Sequence, residues 1–150
     1  MSHTYAHLLV HVVFSTKDRA PRLTPELQPR LFPYMGGIVR ELTGTALLIN
    51  GTTDHVHLLL RLPATCALAD LVRTVKANSS RWIHEDFPNP DRFAWQTGYG
   101  AFSVSESNCA RVLNYIRRQE QHHRRLSFQD EFVAFLQRHG LEYDERHLWD

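Results

Sequence analysis

The sequence predicts an α+β domain of the ferredoxin-like βαββαβ kind, an antiparallel sheet with helices on one face, extended by C-terminal helices. Three patterns predict it. Apolar residues alternate with period two near the N-terminus, two short apolar runs joined by a turn lie between two helical stretches, and further capped helical stretches close the chain.

Residues 4–14 alternate, with Ala6, Leu8, Val10, Val12 and Phe14 on one face and Tyr5, His7, Leu9, His11 and Val13 on the other, which predicts the first strand. Thr24-Pro25-Glu26 is a helix start: a capping hydroxyl, a proline at the first helical position, then an acid. That helix is expected to run to about Leu42. Pro29 and Pro33 lie inside it, each removing a backbone donor, so a kink or a late start is expected. Residues 45–50 and 55–62 are two strands joined through Gly51-Thr52-Thr53-Asp54, a hairpin whose second strand reads as central. Residues 67–86 carry Leu68, Leu71, Val72, Val75, Trp82 and Ile83 at helical spacing, before Pro88-Asn89-Pro90-Asp91 forces a turn. Residues 93–104 predict a fourth strand, either continuous or with a bulge at Gly98 or Gly100. Ser105 or Ser107 can cap a helix over 107–123, and Ser127 with Asp130 can cap another over 128–138 that stops at Gly140.

Composition sets bounds on function. A chain of 150 residues with 43% apolar side chains can bury one core, and no repeat or linker interrupts it. One domain over residues 1–150 is therefore expected, with a helical extension from about residue 105. A formal net charge of +1 excludes a large basic excess as the means of binding nucleic acid. Two cysteines, Cys66 and Cys109, are too few for a disulfide framework and fit a reducing compartment. With no leader-like segment and no apolar run of membrane-spanning length, a soluble cytoplasmic protein with no membrane partner is expected. The ten histidines are the compositional oddity. Imidazole is a metal ligand and a proton carrier, so their spacing decides which matter.

His55-Val56-His57 places both imidazoles on one face of a strand, roughly 6–7 Å apart along the chain, where they can grip one metal ion. Hydrogen-bonded surface histidines would produce the same pattern. Tyr115 and Gln119 are four apart on the predicted third long helix and so lie one above the other, with Cys109, Val112, Leu113 and Ile116 on a separate apolar arc. Tyr115 is expected to face out beside that arc, flanked by Arg111 and Arg118, whose charge would favour its ionised form. Residues 111–125 hold Arg111, Arg117, Arg118, Arg124 and Arg125 with His122 and His123 against the single acid Glu120, a basic ridge suited to phosphates or simply to solvent. Lys17, Arg19 and Arg22 form a second basic group. Trp95, Tyr99 and Phe102 can stack on unpaired bases or fill a core. His7 and His11 are too far apart in an extended chain to share an ion and read as polar positions on a partly exposed strand. Asp54 can support a ligating histidine, although strand alternation points it away from His55.

His55-Val56-His57 followed about 60 residues later by Tyr115-Ile116-Arg117-Arg118-Gln119 resembles the motif pair of the single-tyrosine HUH transposases, small insertion-sequence enzymes and their repeat-associated relatives. Val13-Phe14-Ser15-Thr16-Lys17, Asp54, Trp95-Gln96 and the run Gly98-Tyr99-Gly100-Ala101-Phe102-Ser103 are similar too, so the resemblance covers nearly the whole chain. It implies Mg²⁺ or Mn²⁺ at the histidine pair, with Gln119 as the third protein ligand. Its implied partners are single-stranded DNA with imperfect hairpins and a second copy of the chain, in a homodimer whose active sites can be composite. Tyr115 would attack a phosphodiester, leaving a 5′-phosphotyrosine link and a free 3′-hydroxyl, and reversal by another 3′-hydroxyl would rejoin DNA without ATP. Two imidazoles and an amide would leave the ion its full charge. Lys17, Arg19, Arg111, Arg118, Arg124 and Arg125 are the candidate DNA contacts. Three rivals remain open at this level: a nuclease in which water attacks, a non-catalytic single-strand-binding sheet, and a domesticated repeat-associated role.

Overall fold

The computed structural model describes residues 3–87, 93–123 and 126–150. The turn expected at Pro88 to Asp91, and Arg124 and Arg125, lie outside the described residues.

The elements run β1 (Leu9–Ser15), α1 (Gln28–Glu41), β2 (Thr45–Gly51), β3 (His55–Arg61), α2 (Leu68–Asp86), β4 (Gly100–Ser103), α3 (Cys109–Arg117), α4 (Gln119–His122) and α5 (Phe128–Arg138). The strands form one antiparallel sheet in the order β2-β3-β1-β4, the arrangement expected of βαββαβ. Alternation splits the side chains between two faces. Val12, Phe14, Val56, Leu58 and Leu60 pack beneath α1 and α2 with Leu31, Met35, Leu71 and Val75. The opposite face carries Leu9, His11, Val13, His55, His57 and Leu59, and the C-terminal helices cover it through Ile116, Phe128, Phe132 and Phe135. β3 is buried from His55 to Leu60 without a break, and burial on both faces explains why Leu58-Leu59-Leu60 shows no polar alternation.

Several boundaries differ from expectation for identifiable reasons. β1 starts at Leu9, not at residue 4, because β3 ends at Arg61 and β4 at Ser103, leaving residues 3–8 exposed without a neighbouring strand. α1 starts late, at Gln28, which puts Pro29 in the first turn, where a missing N–H costs nothing, while the Thr24 hydroxyl accepts from Leu27 N at 3.2 Å in the turn before it. The fourth strand shrinks to Gly100–Ser103, with one outlying bridge between Trp95 and Thr16. Between them the Lys76 ammonium donates to the carbonyls of Gln96, Thr97 and Gly98, which takes that segment out of the ladder. Gly100 is required where it stands, since a Cβ there would lie 2.6 Å from the Phe132 ring.

The helix expected over 107–123 is broken at Arg118 (φ −98°, ψ 22°). Asn50 of β2 causes the break to be tolerated: its amide donates to Ile116 O at 2.9 Å and Arg117 O at 3.4 Å, satisfying carbonyls at the end of α3. Ser105 and Ser107 bond each other ahead of α3 and do not cap it. Ser127 caps α5 as expected, accepting from Asp130 N at 3.2 Å, and the chain turns at Gly140 with φ of 67°. Among the described residues no helix is long and apolar enough to cross a membrane.

Candidate active site

The site begins at the β2–β3 hairpin. A Cβ on Gly51 would lie 2.2 Å from His55 O, so only glycine lets the strands meet this closely. Thr52 N closes the turn onto His55 O at 3.0 Å. The alternation of β3 then sets His55 and His57 side by side on the face covered by the C-terminal helices, both fully buried, with ring centroids 5.2 Å apart.

Each imidazole has one nitrogen engaged behind it. His55 Nδ1–H donates to Asp54 Oδ1 at 2.8 Å, and Thr52 Oγ1 stands 2.9 Å from the same nitrogen. Asp54 therefore does reach His55: it belongs to the turn, where strand alternation has not yet begun. Burial works against its charge, but the hydrogen bond from His55 holds its carboxyl below the ordinary range. His57 Nδ1 lies 2.8 Å from Nε2 of His11, whose ring stacks on it at 5.0 Å. His11 is thus not a polar position on an exposed strand; it is buried, and it fixes the rotation of His57.

The forward nitrogens converge. His57 Nε2, His123 Nε2 and His55 Nε2 lie 3.0, 3.2 and 3.6 Å from Glu131 Oε1, and Gln119 Oε1 lies 3.3 Å from His55 Nε2 and 3.1 Å from His123 Nε2. The ligand atoms of His55, His57, His123 and Glu131 all fall within 4.8 Å of one another. Opposite ligands of an ion held at about 2.2 Å are about 4.4 Å apart, so the group fits one divalent cation. The chemistry of the donors agrees: imidazole nitrogens, a carboxylate and an amide oxygen are all donor types that bind divalent cations. Burial opposes the charge of Glu131, yet the hydrogen bonds from His123 and His57 hold its carboxyl far below the usual range. Burial also lowers His57 to about 4, keeping the imidazole neutral, the form that binds metal.

Tyr115 lies on α3 with its ring 5.9 Å from that of His57. Its hydroxyl donates to Glu131 Oε2. It is half-buried and turned into the site, where burial and the Glu131 carboxylate push its ionisation above the ordinary tyrosine value. The environment expected from Arg111 and Arg118 is thus reversed: the cation that acts on Tyr115 is Arg138, while Arg111 lines a cavity beside it and Arg118 sits exposed at the helix break. Gln119 is fully buried at the start of α4, directly behind Tyr115.

The structure therefore brings together His55, His57, Gln119 and Tyr115, and adds His11, His123 and Glu131. The added carboxylate changes the charge balance, since a cation here would be partly neutralised. Glu131 had a signal in the sequence: it falls on the same arc of α5 as Phe128, Phe132 and Phe135, an acid among core residues. His123 repeats beyond Gln119 the four-residue step from Tyr115 to Gln119. Of the candidate DNA contacts, Lys17 is exposed just beyond the end of β1 that pairs Ser15 with His55, and the Arg19 guanidinium lies 5.4 Å over the Trp149 ring.

Comparison with known proteins gives this geometry a family. The ISDra2 transposase TnpA of Deinococcus radiodurans is 26% identical over 114 residues, covering 73% of this chain and 81% of that protein. The crystal structure of a Deinococcus radiodurans R1 protein described as a transposase superposes with a TM-score of 0.64 at 26% identity, covering 79% of this chain and 96% of the other. A REP-associated tyrosine transposase, solved bound to a REP hairpin, shares the fold with a TM-score of 0.60 at 14% identity, over 82% of this chain and 74% of its own. The family model described as "Transposase IS200 like" matches residues 4–119, a span that holds His55, His57, Tyr115 and Gln119 and stops short of His123 and Glu131. The chain belongs to the IS200-like transposase family.

Proposed function

We propose that the chain cuts and rejoins single-stranded DNA with Tyr115 as the nucleophile and a divalent metal held by His55 and His57 together with Gln119, His123 or Glu131. One observation carries the reading. The two oxygens of Glu131 face different partners, Oε1 the imidazoles and Oε2 the Tyr115 hydroxyl, so nucleophile and metal group are one carboxylate apart. A scissile phosphate seated between them would meet both.

The residues divide the work. When bound, the metal supplies Lewis acidity toward the phosphate. Asp54 and His11 orient His55 and His57, burial keeps His57 neutral, and the Tyr115 proton faces Glu131 Oε2. Attack of the Tyr115 oxygen on phosphorus forms the tyrosyl phosphodiester as the bond to the 3′-oxygen breaks, and a 3′-hydroxyl of another strand reverses the exchange. The nitrogen-rich donor set ranks Mn²⁺ above Mg²⁺, which prefers oxygen. Tyr115 meets Glu131 and His57 within its own chain, a contact that supports a site completed in cis. The hairpin-bound relative supports hairpin-bearing single strands as the substrate.

The test is a denaturing gel of end-labelled, hairpin-bearing single strands incubated with Mn²⁺ or with chelator. Metal-dependent cleavage that leaves protein on the 3′ fragment, lost in Tyr115→Phe, is the expected result. Cleavage by wild type and Tyr115→Phe alike, with no protein-bound fragment, would assign the attack to water.

A further inference from the structure

We propose that the cavity lined by Tyr115 and His11 is a subsite for one nucleotide of the cleaved strand, its base against Phe102 and Phe135 and its phosphate at Arg111 and Arg138. The proposal rests on the function proposed above and names the part of the substrate that this chain grips beside the reacting phosphate.

The cavity is about 320 Å³ and contains Tyr115 and His11 in its lining. That volume is at the lower end of the range of small-ligand pockets, about 300–1,000 Å³, which suits one nucleotide rather than a stacked pair. Its base is aromatic: Phe102 and Phe135 stack with centroids 5.2 Å apart, and His139 lies on Phe102 at 4.6 Å. Tyr115 stands edge-on to Phe135 at 5.7 Å, so whatever fills the cavity touches the ring that carries the nucleophile.

The fixed charges of the lining are of one sign. Arg111 and Arg138 line the cavity beside His139, and no carboxylate does. Neither guanidinium enters an ion pair or hydrogen bond among the described residues, although Arg138 lies 5.7 Å over Phe135. His139 Nδ1 is bonded to Phe135 O at 2.8 Å, which leaves Nε2 to face outward. An apolar aromatic floor under a cationic rim is the pairing that a nucleotide presents in reverse, a flat base with an anion at one end. Two other cavities lined by described residues lack it. The one under Lys76 has its ammonium committed to three carbonyls, and that of about 540 Å³ between α1 and β2 has Arg40 as its single cation and contains none of the site residues.

The experiment is an amide NMR titration of the ¹⁵N-labelled full chain with thymidine 5′-monophosphate, 2-deoxyribose 5-phosphate and inorganic phosphate, each up to about 10 mM, the range weak single-nucleotide sites require. Saturable shifts at Val104, Val112, Phe135, Arg138 and His139 are expected with the nucleotide, at least fivefold weaker binding without the base, and a tenfold or greater loss in the exposed double variant Arg111→Ala, Arg138→Ala, whose remaining spectrum reports its folding. Absence of shifts, shifts centred on Arg73 and Lys76, or equal affinity for inorganic phosphate would overturn the subsite. The cleavage gel is independent of this titration: nucleotide binding here without DNA cleavage contradicts the transposase chemistry alone, and cleavage without nucleotide binding contradicts the subsite alone.

Discussion

Tyr115 donates its hydroxyl proton to Glu131 Oε2, while Oε1 of the same carboxylate lies 3.0 Å from His57 Nε2 and 3.2 Å from His123 Nε2. One acid thus links the proposed nucleophile to the proposed metal group, and it enters from α5, beyond the residues matched by the family model. Replacing it as Glu131→Gln removes the charge that holds the Tyr115 proton. Ionisation of Tyr115, followed by ¹³Cζ NMR, is expected to move at least about one pH unit back toward the ordinary value, with Mn²⁺ affinity falling about tenfold. An unchanged Tyr115 titration would show that burial alone sets it.

His11 is predicted to matter to metal binding without touching the ion. Its Nε2 meets His57 Nδ1 at 2.8 Å, and an imidazole there can either donate to His57 or accept from it. His57 can therefore release its Nε2 proton and ligate while keeping the contact. His11→Ala is expected to weaken Mn²⁺ binding by about 10- to 100-fold in calorimetric titration and to cost about 1–3 kcal/mol of stability, because His57 Nδ1 is left buried and unpaired. His11→Gln, which keeps both a donor and an acceptor, should recover part of the affinity.

Acid should destabilise the metal-free fold in a defined window. His57 is lowered to about 4 by burial, and burial lowers His11 as well, whereas histidines of an unfolded chain titrate near 6.5. Between those values the unfolded chain takes up protons that the fold refuses, so stability falls as pH falls from about 6.5 to 4. His57 alone accounts for about 3 kcal/mol, present above pH 6.5 and lost by pH 4. Urea midpoints at pH 7.5 and 4.5 measure it, and a His57→Phe variant should show a smaller difference. Equal midpoints in wild type would contradict a buried neutral imidazole.

Gly51→Ala tests the hairpin. The added methyl would meet His55 O at 2.2 Å, backbone that cannot give way without displacing His55, the first proposed ligand of β3. Loss of about 2 kcal/mol or more in thermal unfolding is expected, together with weaker metal binding. Ordinary stability would mean that the strands separate freely at this end.

How far the sequence predicted this site depended on where each residue sits. His55 and His57 follow from the strand period, and Tyr115 and Gln119 from the helix period, because each pair lies within one local stretch. His123 and Glu131 reach the same point only through a helix break at Arg118, itself supported by an Asn50 side chain from β2, and such long-range hydrogen bonds leave no periodic trace. His11 was misread because the alternation of β1 suggests one wet face, and the helices that bury that face come almost a hundred residues later. The fold order was predictable from patterning. The start of β1 and the length of β4 were not, since both are set by where the neighbouring strand ends.

The most direct measurement is mass spectrometry of the peptide containing Tyr115 after wild-type protein has cleaved a hairpin-bearing single strand in Mn²⁺. The account predicts that this peptide carries the 3′ DNA fragment through its tyrosine oxygen, and that adding a strand with a free 3′-hydroxyl returns the peptide to its unmodified mass. Cleaved DNA bearing a free 5′-phosphate, with Tyr115 unmodified throughout, would contradict it.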